Sequence, residues 1–218
     1  TFSQSIGIIM GANIGTTITA FIVGFDLFQY ASFFLIIGAF CLLFSNHPKI
    51  KGLAQILFGL GCLFYGLELM SLHLEAITKL PEFIQLVTLF TNHPILAMFG
   101  GAITTALIQS SSAMIAIVQQ MYHLKAISLY VSIPYIFGCN IGTTITAFLS
   151  ALKANSSAKK AALFHFLFNV IGTAFFMIFL TPFYHLFLIF RFYVPVSPRL
   201  QLAFIHGLFN IFTTLLIF

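Results

Sequence analysis

Asn13, Thr16, Thr17 and Thr19 recur in the same order and spacing as Asn140, Thr143, Thr144 and Thr146. They belong to an eleven-residue block, Gly11-Ala12-Asn13-Ile14-Gly15-Thr16-Thr17-Ile18-Thr19-Ala20-Phe21. It returns as Gly138-Cys139-Asn140-Ile141-Gly142-Thr143-Thr144-Ile145-Thr146-Ala147-Phe148, with only its second residue changed. A match of this length inside one chain marks an internal duplication. Neither block has a charged residue close by. In lipid, an amide and three hydroxyls need partners within the protein or in a water-lined cavity. Two such uncharged polar clusters suggest a shared pocket. The plainer alternative is a Gly-x-x-x-Gly packing seam whose hydroxyls bond back to their own helix.

Gln109-Ser110-Ser111-Ser112 is the sharper cluster. It follows a segment broken by Gly100-Gly101 and Thr104-Thr105, within a run free of charge over residues 83–124. In a soluble loop the same four residues would mean little. At membrane depth they supply hydroxyl donors, and a helix beginning there supplies free backbone N–H groups. That combination binds an oxyanion without any arginine. Carbonyls released at the break, with nearby hydroxyl and amide oxygens, suit Na+. A bound cation would also offset the cost of carrying an anion into low dielectric.

A weaker repeat lies further on. Ala162-Leu163-Phe164-His165-Phe166-Leu167-Phe168-Asn169 resembles Ala203-Phe204-Ile205-His206-Gly207-Leu208-Phe209-Asn210. Each copy puts His and Asn one helical turn apart on one face. His165/Asn169 and His206/Asn210 read as interhelical hydrogen-bonding pairs or as a polar relay, since intramembrane ionisable groups are functional candidates. Asp26 and Glu68 fall near the ends of apolar runs, where interfacial solvation explains them. Cys41, Cys62 and Cys139 have neither pairing nor metal-like spacing and are packing residues. No hydrolase elbow, nucleotide loop or metal-spaced histidine set is present, and nothing marks nucleic-acid binding or a cofactor.

The elements that must position these groups are membrane helices. Hydrophobic residues make up 60% of the 218, and charged residues 6%. A soluble domain carries roughly a quarter charged residues. Uncharged runs cover residues 1–25, 27–48, 83–124, 126–152 and 161–190, several of them longer than the ~20 residues a spanning helix needs. The net charge of +5 is modest, and its placement bears on orientation. The chain opens at Thr1 directly before the first block, with no signal-peptide pattern, and reads as a fragment lacking an upstream part.

Taken in order, residues 5–23 form a first span with the first block, 30–44 a second, and 52–70 a third rich in glycine. Residues 71–93 read as an interfacial helix plus loop, and 94–124 as a helical hairpin that enters the membrane and turns back. Spans at 126–150, 161–180 and 200–218 follow, with an aromatic segment holding Arg191, Pro195 and Pro198 between the last two. The parts are then 1–45 (remainder of a first repeat and the next span), 46–93 (linking span and interfacial segment), 94–152 (second repeat with its re-entrant hairpin) and 153–218 (C-terminal spans). Placing the lysines at 49–51 and 153–160 in the cytoplasm makes the two blocks cross in opposite directions, although Arg191 and Arg199 then fall outside, against the rule. Inverted repeats with broken helices point to a secondary transporter. The expected fold is an all-α membrane protein with an inverted-repeat core and broken or re-entrant helices.

Gln109-Ser110-Ser111-Ser112-Ala113, followed about twenty-five residues later by Gly138-Cys139-Asn140-Ile141-Gly142-Thr143-Thr144, resembles the repeat unit of the type II sodium/phosphate cotransporters, in a bacterial form. The stretch from Gly59 to Met70 is similar to that family's span between repeats, and so are the His-x-x-Phe-Asn segments. The resemblance implies a phosphate site at Gln109, Ser110, Ser111 and Ser112. It implies sodium-binding or pocket-lining roles for Asn13, Thr16, Thr17, Asn140, Thr143 and Thr144. Family members carry Gln-Ser-Ser in both repeats; here the first is absent, and the repeat offset places it upstream of Thr1.

The function expected is sodium-coupled transport of inorganic phosphate by alternating access, in a multi-pass protein of the plasma or bacterial inner membrane. Na+ is the coupling ion, with no other cofactor, and a homo-oligomer stays open. Phosphate export or carriage of another oxyanion is the rival within the class. A membrane scaffold or regulatory subunit is the rival outside it. An enzyme is disfavoured, since no nucleophile–base set is visible.

Overall fold

The computed structural model describes residues 2–218. Ten α-helices account for the fold, with no strand among the described residues: α1 (Phe2–Gly24), α2 (Ala31–Phe44), α3 (Pro48–Ile77), α4 (Pro81–Asn92), α5 (Pro94–Ile108), α6 (Ser111–His123), α7 (Leu129–Ala151), α8 (Ser156–Ile178), α9 (Leu180–Tyr193) and α10 (Pro198–Ile217). Their starts follow from local chemistry. Proline stands at the first position of α3, α5 and α10, where its missing N–H costs nothing. Ser128, Asn155 and Ser197 cap α7, α8 and α10 by accepting the N–H of Val131, Ala158 and Leu200, satisfying donors that a helix start leaves open.

Five helices are long and apolar enough to cross a membrane: Ser3–Gly24, Pro48–Ile77, Leu129–Ala151, Ser156–Ile178 and Pro198–Ile217. Large apolar side chains such as Leu43, Leu107, Ile178 and Leu215 stand exposed on the helices, as lipid-facing residues do. The expected all-α membrane fold is therefore the fold observed.

The chain divides into two units. Residues 25–80 form one, a helical hairpin in which α2 and α3 run antiparallel. Gly38 lies against Phe58, and Gly61 against Leu35 and Ala31, with no room for a Cβ at either glycine. The other unit contains α1 and residues 81–218. At its centre Phe137 of α7, Phe176 of α8 and Phe209 of α10 meet with ring centroids 4.9 to 5.4 Å apart. Burial of such aromatic surface supplies much of the packing energy.

Three segments differ from the sequence reading. The third span does not end near residue 70; α3 continues to Ile77, through Leu72, Leu74, Glu75 and Ala76, which are strong helix formers. Lys79 and Glu75, 2.9 Å apart, add an i,i+4 pair at its end. The aromatic segment after residue 180 is a helix, α9, because no breaker interrupts it between Pro182 in its first turn and Pro195. Lys159 and Lys160, expected just before the span at 161–180, lie in the first turns of α8. The second span, α2, has only 14 residues, fewer than the ~20 that cross a bilayer untilted.

Candidate functional site

The break at Gln109–Ser110 is the local feature from which the site is built. Gln109 ends α5 in the left-handed region (φ 60°), its N–H bonded to Thr105 O at 2.7 Å. A non-glycine residue there costs of order 1 kcal/mol and marks a position held by its surroundings. Ser110 is extended, and its Oγ accepts the Ala113 N–H at 3.3 Å. That bond leaves the Ser110 hydroxyl proton for another acceptor. Ser111 opens α6 and is buried, Ser110 and Ser112 are half-buried, and Gln109 is exposed. An α-helix start with hydroxyls beside open N–H groups therefore lies where the sequence suggested one.

After the break the chain folds back. Gly100 and Thr104 of α5 line a cavity of about 120 Å³ with Val118 and Met121 of α6. Tyr135 of α7 closes its side, with its hydroxyl 2.8 Å from Thr104 Oγ1. Behind this pair, α5 lies along α7 at backbone distance. Gly101, Gly138 and Gly142 face Tyr135, Met98 and Ala102 with no room for a Cβ. The glycines that suggested a packing seam do form one in the second block. In the first block, Gly11 and Gly15 have nothing within 4 Å of a would-be Cβ.

In each block the asparagine and the two adjacent threonines donate to carbonyls of their own helix. Asn13 Nδ2 donates to Ile9 O (2.8 Å), Thr16 Oγ1 to Asn13 O (2.7 Å) and Thr17 Oγ1 to Ile14 O (2.6 Å). The second block matches, with Asn140 to Ile136 O (3.0 Å), Thr143 to Cys139 O (2.9 Å) and Thr144 to Ile141 O (2.7 Å). These are the back-bonds of the plainer reading. They spend the hydroxyl protons of these threonines, whose oxygens keep lone pairs that a cation could use, while each asparagine keeps a second N–H.

Helix α6 joins the two blocks. Its Met114 and Ile115 share an apolar cluster with Ala20 of the first block, Cys139 of the second and Ala203 of α10. Ile9, early in α1, lines a cavity with Ala147, Ser150 and Ala151 at the other end of α7. Along α1 and α7 these shared surroundings therefore come in opposite order, with Ile9 near Ala147–Ala151 and Ala20 near Cys139.

The His/Asn pairs divide. Asn169 and Asn210 bond within their own helices, to His165 O (2.9 Å) and His206 O (3.1 Å). His206 reaches across to Asn140, with Nε2 3.1 Å from Oδ1, whereas His165 lines the cavity beside Ile9. No group of three His, Cys, Asp or Glu that could hold a metal occurs among the described residues.

Sequence reasoning missed a polar network at the far end of α6. Gln119, fully buried, donates from Nε2 to Ala20 O (2.9 Å) and Arg199 O (2.8 Å). Arg199 is buried too, and its Nε donates to Gln120 Oε1 at 2.9 Å. Tyr122 donates to Gln201 Oε1 at 2.9 Å and receives Arg191 at 3.4 Å. Both arginines are thus engaged with protein groups, which lowers their weight in a count of loop charges. The available signal was the Gln119-Gln120 pair itself, two amides in an apolar helix.

The profile of the family described as Na+/Pi-cotransporter matches residues 1–72 and 75–191. A Bacillus subtilis protein named "Uncharacterized protein YqeW" is 29% identical over 99% of this chain and 68% of its own length. "Putative inorganic phosphate export protein YjbB" of Escherichia coli is 27% identical over 82% of this chain, which spans 32% of that relative. The human "Sodium-dependent phosphate transport protein 2C" is 43% identical over 35% of this chain and 14% of its own length. No solved structure matches the chain.

Proposed function

This chain belongs to the Na+/Pi-cotransporter family, and on that footing we propose that it carries out sodium-coupled transport of inorganic phosphate. The family is one of transporters and not of enzymes, and the five apolar helices fit a multi-pass membrane protein. The observation that carries the reading is the serine-capped break at Gln109–Ser110, opening a helix that packs against both repeated blocks. In this reading the hydroxyls of Ser110, Ser111 and Ser112 and the first N–H groups of α6 receive phosphate. Gln109 borders the site. The side-chain oxygens of Asn13, Thr16, Thr17, Asn140, Thr143 and Thr144 receive Na+. Cation and anion then reduce each other's desolvation cost.

The opposed order in which α1 and α7 meet their shared surroundings supports an inverted repeat, with the α5–α6 hairpin as a re-entrant element and alternating access as the mechanism. The bilayer is the cell membrane. A coupled carrier follows the summed gradients of its ligands, so the same site serves uptake or export. The human relative's name carries sodium dependence and the E. coli relative's name carries export. Binding tests the reading: phosphate should raise the melting temperature of the purified full-length protein in Na+ but not in choline. Equal stabilisation in both salts would remove the sodium coupling.

A further inference from the structure

Phe21 and Phe148 end the two blocks, and each packs against the residue that follows a histidine. Phe21 lies against Gly207, and the Phe148 ring meets Phe166 edge-on at 5.5 Å. Gly207 and Phe166 are equivalent in the weaker repeat, next to His206 and His165. Gly172 and Thr213 stand at the same offset, and the Thr213 side chain fills the space beside Gly172. Equivalent residues meet in this way at a local two-fold axis.

The correspondence stops at the asparagines. His206 Nε2 lies 3.1 Å from Asn140 Oδ1, with both residues buried. An amide oxygen only accepts, so the ring carries its proton on Nε2. His206 Nδ1 is buried without a partner, and the contact with Asn140 is what holds the ring. The equivalent pair is His165 with Asn13. Asn13 is buried and bonded to Ile9 O, as Asn140 is to Ile136 O. His165 instead borders a cavity of about 280 Å³, together with Ile9. Ile136, the counterpart of Ile9, is fully buried in the core that holds Ile205.

Resting on the inverted-repeat transport reading above, we propose that His165 and His206 are alternating positioning residues, each clamping the asparagine of one block. In the conformation described here His206 is seated on Asn140 and the space beside His165 is open. In the opposite conformation His165 seats on Asn13, the cavity at Ile9 closes, and the equivalent space opens beside His206 and Ile136. An N–H pointed at Asn140 Oδ1 takes one of its lone pairs and opposes a cation there. One block's amide oxygen is therefore masked while the other's is available, and the two exchange as the conformation changes.

The test is thiol labelling of Ile9→Cys and of Ile136→Cys in the full-length protein in membranes, with Cys41, Cys62 and Cys139 replaced by alanine. His206→Phe removes the donor. It should slow labelling at position 9 and speed it at position 136, each by about two- to tenfold, the shift expected for one hydrogen bond. His206→Gln keeps an N–H donor and should restore the parent rates. His165→Phe should leave position 9 labelled at least as fast as the parent. Should His206→Phe fail to reach the membrane, Asn140→Leu removes the acceptor and predicts the same opposed changes. Unchanged rates at both positions, or a rise at both, overturn the proposal. Labelling needs no phosphate, so its failure with sodium-driven flux intact rejects the clamp alone. Opposed changes without any flux reject the transport reading instead.

Discussion

Gly138 lies so close to Met98 that the Met98 carbonyl oxygen takes the place a Cβ would occupy. Gly142 stands in the same relation to Ala102, whereas Gly11 and Gly15, the first-block equivalents, face open space. One sequence thus has two packing states within one chain. Alanine at 138 or 142 should push α5 off α7 and destabilise by about 1–3 kcal/mol. In this 218-residue chain, alanine at 11 or 15 should be neutral or gain up to about 1 kcal/mol from helix propensity. Thermal unfolding in detergent decides; equal losses at all four positions would contradict the asymmetry.

Gln119 should matter for stability out of proportion to its place in sequence. Gln119→Leu keeps the volume but strips donors from the carbonyls of Ala20 and Arg199, which lie on two other helices. Each carbonyl keeps its own helix partner, so the loss is that of two buried hydrogen bonds, about 0.5–1.5 kcal/mol each. The expected result is a clearly lowered unfolding midpoint, with Gln119→Glu failing to restore it because a carboxylate has no N–H to give. A midpoint equal to the parent's would show that these bonds are dispensable.

What could be read from the sequence was whatever repeats or breaks locally. The duplicated blocks, the interruption at Gln109 and the start of a helix at Ser111 all carry local signals in glycine, serine and spacing. The Gln119–Ala20 and Arg199–Gln120 bonds do not, since their partners lie 99 and 79 residues apart and only the tertiary fold brings them together. The extension of α3 and the existence of α9 were hidden for another reason. Charges near residue 75 read as loop signals but helix propensity outweighed them, and the prolines near 195 lie beyond the end of α9 and do not interrupt it. The blocks' hydroxyls gave the opposite difficulty: back-bonding to the helix and facing a cation use the same residues, and spacing cannot separate them.

The anion site is tested by single substitutions Ser110→Ala, Ser111→Ala and Ser112→Ala in the full-length protein. Each removes one hydroxyl and little volume. A hydrogen bond to a charged partner is worth roughly 1.5–3 kcal/mol, so at least one variant should bind phosphate about ten- to a hundredfold more weakly. Radiolabelled phosphate binding at saturating Na+ gives the reading. Normal affinity in all three would take the serine turn out of the site.

The cation site has a separate signature. Thr143 is half-buried, with its hydroxyl proton committed to Cys139 O, so its outward chemistry is an oxygen lone pair. Thr143→Val deletes that oxygen at constant shape and should raise the Na+ concentration for half-maximal uptake severalfold. Thr143→Ser should stay near the parent. An unaltered sodium dependence in the valine variant would assign the second block to packing.

The most direct measurement is flux. Full-length protein is reconstituted into sealed liposomes, and radiolabelled phosphate is followed under an imposed Na+ gradient, then under an equal K+ gradient. Phosphate should accumulate on the side toward which Na+ runs down, and reversing the Na+ gradient should reverse it. The K+ gradient should give only the leak of protein-free liposomes. Phosphate movement of the same rate and extent in Na+ and K+, or none above protein-free liposomes in either, would contradict sodium-coupled phosphate transport.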